Sequence, residues 1–102
     1  MGNKLEVDTS AIRDVSKKIE EFIKSVKTKQ SKLREYGEEL AIVWQGDDAS
    51  KYQMNYKMIV EEDGWLNSLE ENLAAFSNYL THCAEKYEKA AERAINRANG
   101  IR

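Results

Sequence analysis

The chain has 102 residues, a formal net charge of −2, no proline, five glycines and one cysteine, and a third of its residues are charged. Missing proline and scarce glycine exclude a loop-rich β architecture and fit long uninterrupted helices. Acids and bases alternate along the sequence, which leaves no basic stripe to neutralise a phosphate backbone, so nucleic acid is not an expected partner. A helix pair of this size is marginal for burying a core on its own, and a partner chain or a second copy is expected.

The N-terminal residues Met-Gly-Asn-Lys-Leu-Glu-Val-Asp contain no apolar run of signal-peptide length. No window approaches the ~18 apolar residues of a membrane span. Neither Sec-type export nor stable membrane insertion is expected. Gly2 would suit myristoylation, but Glu6 stands where serine or threonine is needed.

Asp8, Thr9 and Ser10 are candidate N-caps for a first helix over about 9–43. Its apolar residues are Ile12, Val15, Ile19, Phe22, Val26, Leu33, Tyr36, Leu40 and Val43, spaced three and four apart and interrupted by Lys29. That is a narrow heptad seam suited to packing against one other helix. Lys29 is expected to snorkel to the seam's edge. The flanking charges read as a solvated face.

Trp44-Gln45-Gly46-Asp47 then reads as a reversal over about 44–47. An apolar plug is followed by a residue tolerant of positive φ, and Asp47 and Asp48 are placed to cap a new helix. The second helix is expected over about 48–98. Its seam begins at Ala49, Tyr52, Tyr56 and Ile59. Past the break around Glu61 to Gly64 it resumes at Leu66, Leu69, Leu73, Phe76, Leu80, Cys83, Tyr87, Ala90 and Ala94, a three-residue phase shift that predicts a kink. Ala84, Ala91 and Ala98 flank this seam on one side and Trp65 and Tyr79 on the other. The apolar face is therefore wider than a two-helix hairpin covers, and a second hairpin completing an antiparallel four-helix bundle is expected on it. Tyr52, Tyr56, Ile59, Trp65, Leu69, Leu73, Phe76, Tyr79 and Leu80 are the expected dimer or partner face.

The first arm spans roughly 52 Å, and the second is longer by over ten residues. The stretch from about Tyr87 to Arg102 should therefore project beyond the first arm as a recognition tail. Arg93, Arg97 and Arg102 there suit a helix C-terminus, and Gly100 is a candidate stop. No repeat or linker interrupts the chain, and residues 1–102 read as a single domain.

The sequence gives catalysis little to work with. His82 and Cys83 are adjacent, about 100° apart on a helix, and cannot pair as base and nucleophile from that element alone. Tyr79 stands where a Glu-x-x-His metal motif needs glutamate. The pairs Glu61-Glu62 and Glu70-Glu71 are consecutive rather than convergent, and no glycine-rich phosphate loop is present. No catalytic, cofactor or metal residue is assigned. Cys83, unable to form an intramolecular disulfide, reads as a small buried hydrophobe. Trp44 plugs the junction, and an indole beside a turn glycine is also an aromatic anchor for a partner.

Trp44-Gln45-Gly46 at mid-chain, between heptad helices and followed by Ala49, Tyr52 and Ile59 on one face, resembles the WXG-100 family of ESAT-like proteins over nearly the whole chain. The resemblance implies an all-α antiparallel helix-turn-helix hairpin that dimerises into a four-helix bundle, either with itself or with a related small helical protein. It implies synthesis in the bacterial cytoplasm and secretion without a cleaved signal peptide by type VII secretion machinery. It further implies a non-enzymatic role as secreted effector or adaptor, or alternatively as a targeting partner or chaperone for the helical N-terminal region of a larger secreted toxin. Family members commonly carry an export signal in which a tyrosine is followed four residues later by an acid. Here Tyr87 is followed at that offset by Ala91, with Glu88 and Glu92 out of place. Either Tyr87 with Glu92 is a diverged form, or a partner supplies the signal.

Overall fold

The computed structural model describes residues 7–100; the expectations attached to Gly2, Glu6 and Arg102 lie outside them. Three helices follow one another: α1 over Thr9–Val43, α2 over Asp47–Val60 and α3 over Trp65–Gly100. α1 folds back against α2 and α3 to form a two-armed hairpin, a rod of 82 × 21 × 20 Å.

Of the three candidate caps, Asp8 takes the role: it is extended, and its carboxylate accepts the Ala11 N–H at 3.0 Å, satisfying one of the orphan donors of the first turn. α1 ends where Trp44 becomes extended while its N–H still bonds the Leu40 carbonyl at 2.9 Å. Two residues on, Gly46 adopts φ 123°, the one positive φ among the described residues, a conformation that excludes most side chains. Asp47 and Asp48 do not cap α2 as expected. Gly46 holds the cap position without a side-chain bond, and both acids lie inside the first turn, where they act through the helix dipole.

The second arm is bent at the expected place. Glu61 is extended, the Gly64 N–H returns to the Glu61 carbonyl at 2.8 Å, and α3 starts directly after. A Cβ on Gly64 would lie 2.5 Å from the Met58 carbonyl oxygen, so this tight turn requires glycine. The carbonyls at the end of α2 lose their helical donors, and α1 supplies replacements. Gln30 Nε2 and Arg34 Nη2 both donate to the Val60 carbonyl at 2.7 Å, and Gln30 Nε2 also donates to Asn67 Oδ1 at 2.7 Å. One glutamine thus ties α1 to both halves of the bent arm.

The hairpin seam differs from the one the apolar pattern predicts. With position a set separately at Ser16 in α1 and at Ser77 in α2 and α3, the most deeply buried residues of α1, Ser16, Ile23 and Gln30, and those of α3, Glu70, Ser77 and Ala84, all occupy a. The apolar stripes that stand out in the sequence occupy d and g instead. Of these, d residues such as Ile12, Ile19 and Leu73 are half-buried in the hairpin, and so is Cys83 at g, expected as a small buried hydrophobe, whereas most g residues are exposed. Small polar residues win the centre because they let the two backbones approach. Ser16 Oγ donates to the Ser77 carbonyl at 3.0 Å, Ser77 Oγ donates to the Ser16 carbonyl at 3.1 Å, and the two hydroxyls lie 2.7 Å apart. Ala84, expected as a flank, is fully buried at this centre. The predicted phase shift is likewise absent from the buried row, because Ala49, Tyr56, Glu70, Ser77 and Ala84 all fall on one seven-residue frame that runs through the bend. What shifts is the apolar pattern, from a and d in α2 to d and g in α3.

Candidate partner interface

Adjacent helical positions are 100° apart, so g lies on the far side of d from a. Arg13 and Glu88, each one position beyond d, pair across the hairpin at 2.7 Å. That contact fixes one side of the antiparallel pair. The g residues of both arms therefore share the opposite side: Val15, Phe22 and Tyr36 from α1, and Leu69, Phe76 and Cys83 from α3. Phe22 is 56% exposed and Phe76 50% exposed, and with the half-buried d residues between them they make one apolar face running along both long helices.

The total area reflects the elongated shape as well as the uncovered face. A compact monomer of this mass exposes about 5,900 Å², whereas this chain exposes 8412 Å². The excess of about 2,500 Å² is spread over the whole rod, the exposed turns of residues 89–100 included, and the apolar face is one part of it.

The residues expected at a partner face are distributed as follows. Tyr52, Trp65, Leu69, Phe76 and Tyr79 are exposed, and Tyr56, Ile59, Leu73 and Leu80 are half-buried. Leu69, Leu73, Phe76 and Leu80 belong to the d and g rows of α3. Trp65 and Tyr79 lie at c and widen that face on its outer edge. The Tyr79 phenol is raised above its ordinary value chiefly by its contact with the Cys83 side chain one turn on.

Tyr52, Tyr56 and Ile59 instead face the turn. The rings of Trp44 and Tyr52 stack with centroids 5.7 Å apart and planes at 29°, so the indole closes the hairpin end against α2. Between α1 and α2 they line a groove of about 500 Å³ together with Leu40, Tyr56 and Ile59, with Arg34 and Glu61 at its edge. Tyr56 lies over Gly37, where an added Cβ would meet the ring at 2.5 Å. Burial pushes the Tyr56 phenol up, partly offset by the nearby Gly37 backbone, with which it makes no well-formed hydrogen bond.

The continuously exposed stretch begins at Lys89, close to the expected start at about Tyr87. Glu88 is held by Arg13, whose guanidinium keeps the carboxyl below the usual range, with a smaller contribution from Thr9. Beyond it, residues 89–100 are exposed throughout. Tyr87 is 42% exposed, and Glu92 is exposed. His82, Lys86, Lys89 and Arg93 line a shallow depression on α3, with Glu85 and Glu92 on the neighbouring strip of the helix, three or four residues from Lys89.

Sequence reasoning did not single out Ser16, Gln30, Gly37, Glu70 or Ser77. The available signal was a lone glycine inside a helical run and polar residues recurring every seven positions beside the apolar stripe. Among the described residues no group of three or more His, Cys, Asp or Glu converges to hold a metal ion, and no described helix is long and apolar enough to cross a membrane.

No curated protein and no solved structure matches the chain. The family model described as "WXG100: Proteins of 100 residues with WXG" matches residues 4–92, the span that holds the hairpin, the Trp44-Gln45-Gly46 junction and most of the apolar face. The chain therefore belongs to the WXG100 family of small helical proteins associated with type VII secretion.

Proposed function

We propose that the chain acts without catalysis, as a secreted effector or adaptor of a type VII secretion system, and that it works by packing its d and g face against another helical hairpin to complete a four-helix bundle. The observation that carries this reading is the continuous apolar face of the d and g rows, which leaves Phe22 56% and Phe76 50% exposed, more contiguous apolar surface than a monomer ordinarily leaves wet. A hairpin centred on Ser16, Gln30, Glu70 and Ser77 has put its small and polar residues inside and left its phenylalanines outside. Such an arrangement makes sense when a second hairpin supplies the larger apolar core. The chain is made in the cytoplasm and leaves without a cleaved signal peptide, with the stretch after Glu88 presented to the secretion machinery.

Light scattering on the purified chain, alone and co-expressed with related chains from neighbouring genes, tests the association. Phe22→Asp combined with Phe76→Asp should leave helical circular dichroism intact and abolish the dimer. A wild-type chain that stays monomeric in every combination and never reaches the culture medium of a secretion-competent strain sinks the reading.

A second reading makes the chain the targeting partner of a larger secreted toxin. It is favoured by Tyr87, which has Ala91 where the export signal needs an acid, while its neighbour Glu88 is occupied by Arg13. Co-purification with such a toxin, and loss of the toxin's export when this chain is deleted, distinguishes it.

A further inference from the structure

We infer that the groove between α1 and α2 is a binding site for an uncharged single-chain amphiphile, which lays its alkyl chain along the groove and leaves its headgroup in water. The site is separate from the d and g face and from the packing proposed for that face.

Its position keeps it open. In α1 the groove is lined by Arg34 and Ala41 at e and Glu38 at b, and in α2 by Gln53 at e and Lys57 at b. Positions e and b lie across the seam from g, on the side that carries the Arg13–Glu88 pair. A hairpin seated on the d and g face leaves this side uncovered.

Shape selects an alkyl chain. Both ends of the groove are tied across the hairpin, by the Trp44–Tyr52 stack at the turn and by the Gln30 and Arg34 bonds to the Val60 carbonyl at the bend. From Arg34 to Trp44 the rise of α1 gives a length of about 15 Å. A groove closed at both ends admits a molecule of limited length and stops a polypeptide from running through it. Between the ties Tyr56 settles over Gly37, where an added Cβ would lift the ring, while Leu40, Ala41 and Ile59 supply aliphatic walls to a volume of about 500 Å³. That volume suits a small molecule, and each methylene laid along such walls adds to its binding.

Charge excludes an ion. Arg34, Glu38, Lys57 and Glu61 edge the groove. Arg34 bonds the Val60 carbonyl and so comes level with Glu61; Gly37 meets Tyr56, and so Glu38 comes level with Lys57. Each lip carries one base and one acid, each opposite its counter-charge. A charged headgroup therefore loses at one lip what it gains at the other, and an uncharged one meets no such opposition.

The test uses n-alkyl alcohols from hexanol to dodecanol, with alkanoates and alkylammonium ions of matching length, titrated into isotopically labelled chain at fixed concentration and followed by its amide and indole resonances. Alcohols are expected to shift Gly37, Ala41, Tyr56 and the Trp44 indole. Each added methylene should tighten binding about fourfold, until the chain outgrows the groove and the gain stops. Ala41→Trp shortens the available groove and should end the gain at a shorter alcohol. Lys57→Glu leaves the edge with three acids to one base, and it should change alcohol affinity by less than about twofold while weakening the alkanoates. The chain-length series on the unaltered protein decides the matter even if Ala41→Trp does not fold.

Affinity that keeps rising through dodecanol marks non-specific adsorption and overturns the inference, as do shifts confined to the face around Phe22 and Phe76, or no binding at all. Alkanoates or alkylammonium ions that bind more tightly than the alcohols would assign the groove to a charged ligand instead. Groove resonances that move with chain concentration alone would assign it to a second copy of the chain, and the inference would fall while the hairpin-packing reading stood.

Discussion

Replacing Gln30 by glutamate tests whether one side chain holds the bent arm to α1. Gln30 is 3% exposed, and its amide nitrogen donates at 2.7 Å to both the Val60 carbonyl and Asn67 Oδ1. Gln30→Glu preserves shape but puts an oxygen where two acceptors wait for a donor. Losing the two hydrogen bonds costs about 1 kcal/mol each. A buried carboxylate without its donors adds a penalty that reaches about 3–5 kcal/mol when nothing compensates it. Arg34 compensates in part: it lies one turn on, and its guanidinium already reaches the same Val60 carbonyl. The expected net loss is about 3 kcal/mol, or a Tm lowered by roughly 10–20 °C for a chain of this length. Burial among acceptor oxygens raises the new carboxyl's folded pKa above its unfolded value of about 4.3. The destabilisation is therefore present at neutral pH and shrinks as pH falls through that raised folded value, where the neutral acid supplies one O–H donor. Wild-type Gln30 does not titrate, so the gap between the two melting curves should narrow on acidification. Thermal unfolding followed by circular dichroism at fixed chain concentration measures both effects. A variant that melts within about 2 °C of wild type at neutral pH, or a gap that stays constant as pH falls, refutes the reasoning.

Three further predictions concern the same seam. Gly37→Ala should gain about 1 kcal/mol of helix propensity yet lose more than that by displacing the Tyr56 ring, which lies 2.5 Å from the added Cβ; the expected net cost is about 1 kcal/mol by urea unfolding, and a stabilised variant would show that α2 yields freely. Glu70 is 6% exposed with a buried oxygen that finds no donor, so Glu70→Leu should stabilise the hairpin by about 1 kcal/mol in the same assay, and a loss of stability would reveal an unrecognised role for the carboxylate. The depressed Glu88 carboxyl makes its bond with Arg13 a contribution that is present above the unfolded carboxylate range and lost as pH falls through the lower folded value. Amide protection factors at the α1 start and around Glu88, which allow for the intrinsic slowing of exchange in acid, should accordingly fall in acid, and Arg13→Gln should lower them already at neutral pH and remove that acid-dependent fall; protection indifferent to both would deny the pair any structural effect.

Much of the hairpin is legible in the residues because its signals are local. Asp8 before an apolar run, the absence of proline, Gly46 after Trp44 and Gly64 at the interruption each act through the backbone conformation of a few neighbouring residues. The bend is legible for the same reason, although the sequence could not show that Gln30 and Arg34 hold it. The partner face is legible in part. Leu69, Leu73, Phe76 and Leu80 stand out by hydrophobicity, but the role of the seam containing them is not a property of their own spacing.

By itself the sequence determined that there would be two long helical arms, that they would reverse at Trp44-Gln45-Gly46, and that each would carry an apolar stripe of heptad spacing, since propensity, turn geometry and periodicity are set by neighbours along the chain. Tertiary structure alone decided which way those stripes would face. The apolar pattern points to the d and g rows as the hairpin's own seam. The folded chain instead turns Ser16 toward Ser77 and Gln30 toward Val60 and Asn67, because small residues and mutually satisfied polar groups allow the closest backbone approach. That rotation of each helix leaves Phe22 and Phe76 at the surface. Hydrophobicity can be read residue by residue, but the direction a helix face takes depends on what the other helix can accept.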